Sequence, residues 1–169
     1  MIPSRDRRAF DEFVATSADR LVRTAYLLCG DRGHAEDLVQ TALLRTARRW
    51  RSARRQPEAY ARRVVVNLAK DRWRDLARRP AEAPLDGVEA TIPVVDGLLD
   101  RDELVRAAAQ LPPGQRAVLV LRYFDDLSVE ETAVTLGCST GTVKSQTSRA
   151  LERLRAALTP EKENADVDR

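Results

Sequence analysis

The segment PAEAPLDGVEATIPVVDG, residues 80–97, limits what this chain can fold into more than any other stretch. It holds three prolines and two glycines and has almost no apolar periodicity. Proline lacks a backbone donor and clashes with the preceding helical turn, and glycine costs a helix about 1 kcal/mol relative to alanine. Neither a helix nor a central strand runs through such a stretch, so it reads as a flexible linker. The 169 residues are therefore expected to form two small modules rather than one medium domain.

Both sides of the linker repeat apolar residues at the helical period. Phe10, Phe13, Val14, Leu21 and Leu28 keep that spacing, as do Ala35, Leu38, Val39, Ala42, Leu43, Thr46 and Trp50. Pro57 suits the first turn of a third helix with Ala61, Val64, Val65 and Leu68 inward, running to about Arg79. Gly30, Asp31 and Gly33 punctuate the first boundary and the loop Arg51–Gln56 the second. Beyond the linker, helices are expected over about 98–110 and 115–124, separated by LPPGQ. LSVEETAVTLG then opens with a capping box from Ser128 to Glu131 and stops at Gly137, with Val129, Ala133 and Leu136 inward. Ser139 is a good N-cap for a last helix to about Leu158. The expected fold is all-α: a helical domain at 6–79, the acidic linker at 80–97, a second helical domain at 98–158 and a disordered tail at 159–169. Each module has a small core and modest stability.

Composition narrows the function classes. Charged residues make up 33% and mean hydropathy is −0.42, and even the apolar run Ala117–Leu121 is far too short to span a bilayer. The N-terminus, MIPSRDRRAFDEF, has no apolar core of a signal peptide. Cys29 and Cys138 form no C-x-x-C pair, and a single histidine, His34, puts a Cys/His zinc site out of reach. A reduced, cytoplasmic compartment follows as the simplest expectation, with no metal and no cofactor. An enzyme is disfavoured, because there is no phosphate-binding glycine loop and no pair of carboxylates placed for a cleft.

Charge is unevenly spread. Residues 1–79 carry 19 basic and 10 acidic groups, whereas residues 80–103 carry 1 and 7. Residues 45–79 hold 13 basic groups against 3 acidic, with Trp50, Tyr60 and Trp73 among them. Basic helix surfaces are common, but aromatics among arginines suit a single-stranded nucleic acid, where bases stack on rings and phosphates meet guanidinium groups.

The stretch LGCSTGTVKSQTSRAL, 136–151, reads as the end of a helix-turn-helix. On the last helix Val143, Thr147, Ala150, Leu151, Leu154 and Leu158 share one side. The other carries Gly141, Ser145, Ser148, Arg149 and Glu152, flanked by Thr142, Lys144 and Gln146. A polar helix face also suits plain water. The capped helix and three-residue turn before it favour the DNA major groove. Gln146 and Arg149 have the reach and geometry for base edges, adenine and guanine respectively. Thr140, Ser145 and Ser148 suit phosphate, and Gly141 lets the backbone approach it closely.

At this point the chain resembles a known family. HAEDLVQTALLRTARRW (34–50) is similar to the polymerase-binding segment of group 4, or extracytoplasmic-function, sigma factors. PEAYARRVVVNLAKDRWR (57–74) resembles their segment for the −10 element. LPPGQRAVLVLRYFDDLSVEETAVTLGCSTGTVKSQTSRALERLR (111–155) resembles their −35-binding domain. The match covers about residues 8–158 in family order and spacing. STGTVKSQTSRAL resembles the subfamily often labelled SigE.

The resemblance implies a subunit that binds core RNA polymerase, through the clamp helices of the largest subunit and the flap of the second-largest, and directs initiation at chosen promoters. It implies that Asp37, Gln40, Thr41, Leu44 and Arg45 meet the polymerase. Leu44 lies off the apolar stripe, so it is either a stray surface leucine or an interface contact. For the −10 element it implies Trp50, Arg51, Arg54, Arg55, Tyr60, Arg62, Arg63, Asn67, Lys70, Asp71, Arg72, Trp73 and Arg74, with a base captured near the loop Arg51–Glu58. Asn67 and Asp71, four apart, suit helix bridging as well as DNA. For the −35 element it implies Ser139, Thr140, Gly141, Thr142, Lys144, Ser145, Gln146, Ser148 and Arg149. An inhibitory anti-sigma partner is typical of the family, and no membrane contact is implied. Thr132, Cys138 and Thr147 stand where the family commonly has Ile, Val and Leu, which implies a thinner core. A free-standing helix-turn-helix regulator is the alternative. It leaves the arginine-rich first half unexplained. The acidic linker, repelled by DNA, suits the polymerase channel that otherwise holds nascent RNA.

Overall fold

The computed structural model describes residues 2–79 and 99–158. The linker expected at 80–97 and the tail expected at 159–169 lie outside those residues. All regular elements among the described residues are helical.

Helix α1, Ser4–Cys29, buries Phe13, Ser17, Leu21, Thr24, Ala25 and Leu28 along one stripe. It stops at Gly30, whose φ of 75° is left-handed and whose N–H donates to the Tyr26 carbonyl at 2.7 Å. One residue later the Asp31 carboxylate accepts from the His34 N–H at 2.6 Å and starts α2, Arg32–Arg48. Ala35, Leu38, Val39, Ala42 and Thr46 of α2 are buried, and the Thr46 hydroxyl donates back to the Ala42 carbonyl at 2.8 Å. Residues Trp50–Ala53 form a further helical turn, α3, where the sequence suggests part of a loop. Trp50 explains the difference. It is buried, edge-on to Phe10 at 5.2 Å between ring centroids and close to Phe13 at 6.1 Å. Burying that large ring holds the backbone on α1. Helix α4, Pro57–Arg78, begins with proline as expected and lies across α1 and α2. Val66 and Ala69 are buried as well as Ala61, Val64 and Val65, while Leu68 and, on α2, Leu43 are only half-buried.

The second half contains α5 (Leu99–Ala109), α6 (Pro113–Leu119), α7 (Val129–Leu136) and α8 (Thr140–Leu158). Helix α6 starts two residues earlier than the sequence suggests, because Pro113 takes a first-turn position rather than the break. It does not continue as an α-helix to Phe124. Val120–Phe124 widens into a π turn, closed by the Asp125 N–H to the Val120 carbonyl at 3.0 Å. Asp126 then adopts φ 54°, a left-handed conformation that aspartate tolerates better than most residues. The capping box of α7 is complete: Glu131 N–H to Ser128 Oγ at 3.0 Å, and Ser128 N–H to Glu131 Oε2 at 2.8 Å. Gly137 ends α7 at φ 67°.

The two halves share a core. Ala117, Val118, Val120, Leu121, Leu127, Ala133, Leu136 and Val143 join the apolar cluster that begins at Phe13 and runs through α2 and α4. A smaller cluster of Leu111, Leu119, Ala150 and Leu154 lies under α8. Instead of two separate small cores, α4 packs on α7 and α1 on the π turn.

Candidate polymerase and nucleic-acid interfaces

The face expected to meet a protein partner is assembled by helical spacing alone. Asp37, Gln40, Thr41, Leu44 and Arg45 recur at intervals of three and four on α2, opposite its buried stripe. All are exposed except Thr41, which is half-buried, and Leu44 is 61% exposed. A leucine so exposed lies on the outer face, clear of the core.

The helix expected to enter the major groove is set up by a short turn and a cap. Three residues separate α7 from α8. Ser139 caps α8, its Oγ accepting from the Thr142 N–H at 3.1 Å. Ser139, Thr140, Gly141, Thr142, Lys144, Ser145, Ser148 and Arg149 are exposed and Gln146 is half-buried, while Val143, Ala150 and Leu154 hold the opposite side in the core. Lys144 and Arg149 make no hydrogen bond or ion pair with the described residues. The two threonines at positions where the resemblance implies larger apolar groups have their hydroxyls satisfied. Buried Thr132 donates to the Ser128 carbonyl at 2.7 Å and half-buried Thr147 to the Val143 carbonyl at 2.7 Å.

The residues expected at a −10 element divide. Arg51, Arg54, Arg55, Arg63, Asn67, Asp71 and Arg74 are exposed. Tyr60 is half-buried beside a cleft of about 650 Å³ between α3, the start of α4, and α7. Trp50 is a correction: locked between Phe10 and Phe13, its ring has no face to offer a base. Arg62 is a second: buried, it reaches Glu58 at 2.9 Å and Asp125 at 3.3 Å rather than solvent. Lys70 donates to the Leu136 carbonyl at 2.6 Å and Arg63 to the Val134 carbonyl at 3.1 Å. Half-buried Trp73 packs against the core, and Arg72 reaches His34 Nδ1 at 3.3 Å. Helical spacing puts basic and aromatic groups on one element, but it does not say which of them the rest of the chain will occupy.

Two residues that sequence reasoning missed organise this region. The Asp125 carboxyl is buried, accepts from the Thr24 hydroxyl at 2.8 Å, and its Oδ2 has no well-aligned hydrogen bond among the described residues. Burial pushes this carboxyl up from its ordinary range, while the Thr24 hydrogen bond and Arg62 pull it down. Arg116 donates to the carbonyls of Leu28, Ala109 and Leu111, fastening the C-terminal end of α1 to the α5–α6 turn. Nothing local in RYFDDLS separates Asp125 from an ordinary surface acid.

Comparison with known proteins fits this geometry. Residues 13–79 match the family description "Sigma-70 region 2" and residues 101–154 match "Sigma-70, region 4". The RNA polymerase sigma-E factor of Streptomyces coelicolor is 44% identical over 154 residues, covering 88% of this chain and 85% of its own length. The ECF RNA polymerase sigma factor SigE of Mycolicibacterium smegmatis is 37% identical over 161 residues, covering 89% and 62%. Among solved structures, the sigma factor RpoE in complex with the anti-sigma factor NepR from Bartonella quintana has a TM-score of 0.72 at 25% identity. That likeness spans 90% of this chain and 98% of that one. The chain belongs to the sigma-70 family of transcription initiation factors. Within it the chain is an extracytoplasmic-function member of SigE type, directing promoter-specific initiation with core RNA polymerase. No helix among the described residues is long and apolar enough to cross a membrane.

Proposed function

We propose that this factor reads promoters with two faces and docks on polymerase with a third. The Ser139 cap and the first three turns of α8, to Arg149, enter the major groove at a −35 element, with Gln146 and Arg149 on base edges. The exposed part of α4 and the turn before it, with Arg51, Arg54, Arg55, Tyr60, Arg63, Asn67, Asp71 and Arg74, engages the −10 non-template strand. Lys70, Arg72 and Trp73 join it only once their present partners release them. Asp37, Gln40, Thr41, Leu44 and Arg45 form the polymerase contact on α2. The domain limits that fit this division are 6–79 and 98–158, joined by the acidic segment 80–97. The factor itself performs no bond chemistry and works in the cytoplasm, at the nucleoid. Likeness to a sigma factor held by an anti-sigma factor supports an inhibitory protein partner.

The observation that carries this reading is the exposed polar face of α8 behind a capped helix and a three-residue turn. Transcription by reconstituted holoenzyme on promoters with single −35 substitutions tests it. Arg149→Ala should relax discrimination at particular positions, by about 1–3 kcal/mol at each. A uniform loss across all sequences makes Arg149 a phosphate anchor instead. Salt must be held fixed throughout, because phosphate contacts make affinity steeply salt-dependent. Binding of promoter duplex without any polymerase favours the free-standing regulator.

A further inference from the structure

One polar residue interrupts the apolar row that α6 and the turn before it present to α8. Leu111, Gln115 and Leu119 recur every four residues, and both leucines pack with Ala150 and Leu154 under α8. Gln115 is only 6% exposed, and its Oε1 is buried without a hydrogen-bond partner among the described residues. An unmet acceptor at that depth carries its full desolvation cost, which a leucine in the same row would avoid. Packing alone therefore does not account for it. The side chain borders a cavity of about 370 Å³ whose other walls are Arg149, Glu152, Arg153 and Ala156, all on one side of α8. Arg149 and Arg153 are exposed, and neither makes a hydrogen bond or ion pair with the described residues.

We propose that Gln115 is a positioning residue for promoter readout: its buried carbonyl takes an N–H of Arg149 and sets the plane of the guanidinium as it meets a base. The proposal rests on the reading of Arg149 as a base contact. A guanidinium has five N–H donors, and a bidentate hold on guanine O6 and N7 uses two of them. The others are free to turn back into the cavity, where burial holds the Gln115 acceptor in place. A planar fork reads a base only when the two planes match, and fixing its inner edge lowers the entropy lost in that alignment. Gln115 lies too deep to touch DNA, so it acts through Arg149. Arg153 borders the same cavity one turn further along α8, beyond the turns that enter the groove. Glu152 is exposed, and a carboxylate in water competes only weakly for Arg149.

The test is transcription by reconstituted holoenzyme on promoters with single −35 substitutions, at fixed salt, with thermal unfolding of each variant beside it. Gln115→Leu removes the acceptor and leaves a side chain of similar size that suits the apolar row. It should keep or raise the melting temperature, yet lower discrimination about two- to tenfold at the positions where Arg149→Ala acts. In an Arg149→Ala background it should add no further loss. Gln115→Glu, which keeps an acceptor, should retain discrimination. Gln115→Met serves in place of Gln115→Leu if the latter loses helical content. Full discrimination in Gln115→Leu, beside a relaxed Arg149→Ala, overturns the positioning role and leaves the α8 reading standing. A loss that persists with Arg149→Ala but vanishes with Arg153→Ala also overturns it, because the partner is then Arg153. A uniform loss in Arg149→Ala, with no −35 position singled out, overturns the α8 reading and the positioning role together.

Discussion

His34 lies in the first turn of α2, where Arg72 donates to its Nδ1 at 3.3 Å. Since a guanidinium only donates, the ring must carry its proton on Nε2, which is buried without a partner among the described residues. Burial first, and the Arg72 charge second, hold the imidazole below its ordinary 6.5, with Asp31 and Asp37 opposing. The folded chain therefore binds this proton less readily than the unfolded chain. Its stability contribution is whole above about pH 6.5 and is lost as pH falls below that value. Melting temperature should drop more between about pH 7.5 and 5.5 in the wild type than in His34→Gln, which keeps an acceptor for Arg72. Parallel curves for the two proteins contradict this. Other single residues were only partly legible. Thr46 fell on the apolar stripe and is buried there, because its hydroxyl bonds back within its own helix. Trp50 also fell on that stripe, yet its place among arginines suggested a stacking surface. Phe10 and Phe13 claim it instead, and sequence spacing cannot rank those two demands.

Helix ends are where the sequence spoke most clearly. Gly30, Pro57, Ser128, Gly137 and Ser139 each act as their chemistry requires, because caps depend on neighbours within four residues. The Glu131 carboxylate in the capping box is held below its ordinary range, chiefly by the Ser128 backbone N–H. Ser128→Ala should destabilise the chain by about 1 kcal/mol in urea or thermal unfolding. No measurable change contradicts a capping role for that hydroxyl. The π turn at Val120–Phe124 had no such local mark. VLRYF contains neither glycine nor proline, and its wider winding accompanies the burial of Val120 and Leu121 against other helices. Local chemistry sets where these helices begin and end, and tertiary packing sets how they wind.

Across the whole molecule, family and helix content could be read from the chain, but the closing of one half on the other could not. The contacts that close it, two from side chains to backbone carbonyls and one between side chains, join residues 66 to 101 positions apart, and no local pattern encodes such pairs. Leu121, fully buried in the cluster shared by both halves, tests that packing. Leu121→Ala should cost about 2–5 kcal/mol, read from denaturant midpoints. A loss below about 1 kcal/mol contradicts a tightly packed joint core. The central claim concerns the assembly this factor enters. Its most direct measurement is co-elution of the purified chain with core RNA polymerase, beside the Asp37→Arg, Gln40→Ala double variant. The account predicts a stable complex for the wild type and loss of it for the variant, whose changes lie on the exposed face of α2. Failure of the wild type to co-elute, with promoter duplex bound by the chain alone, contradicts it.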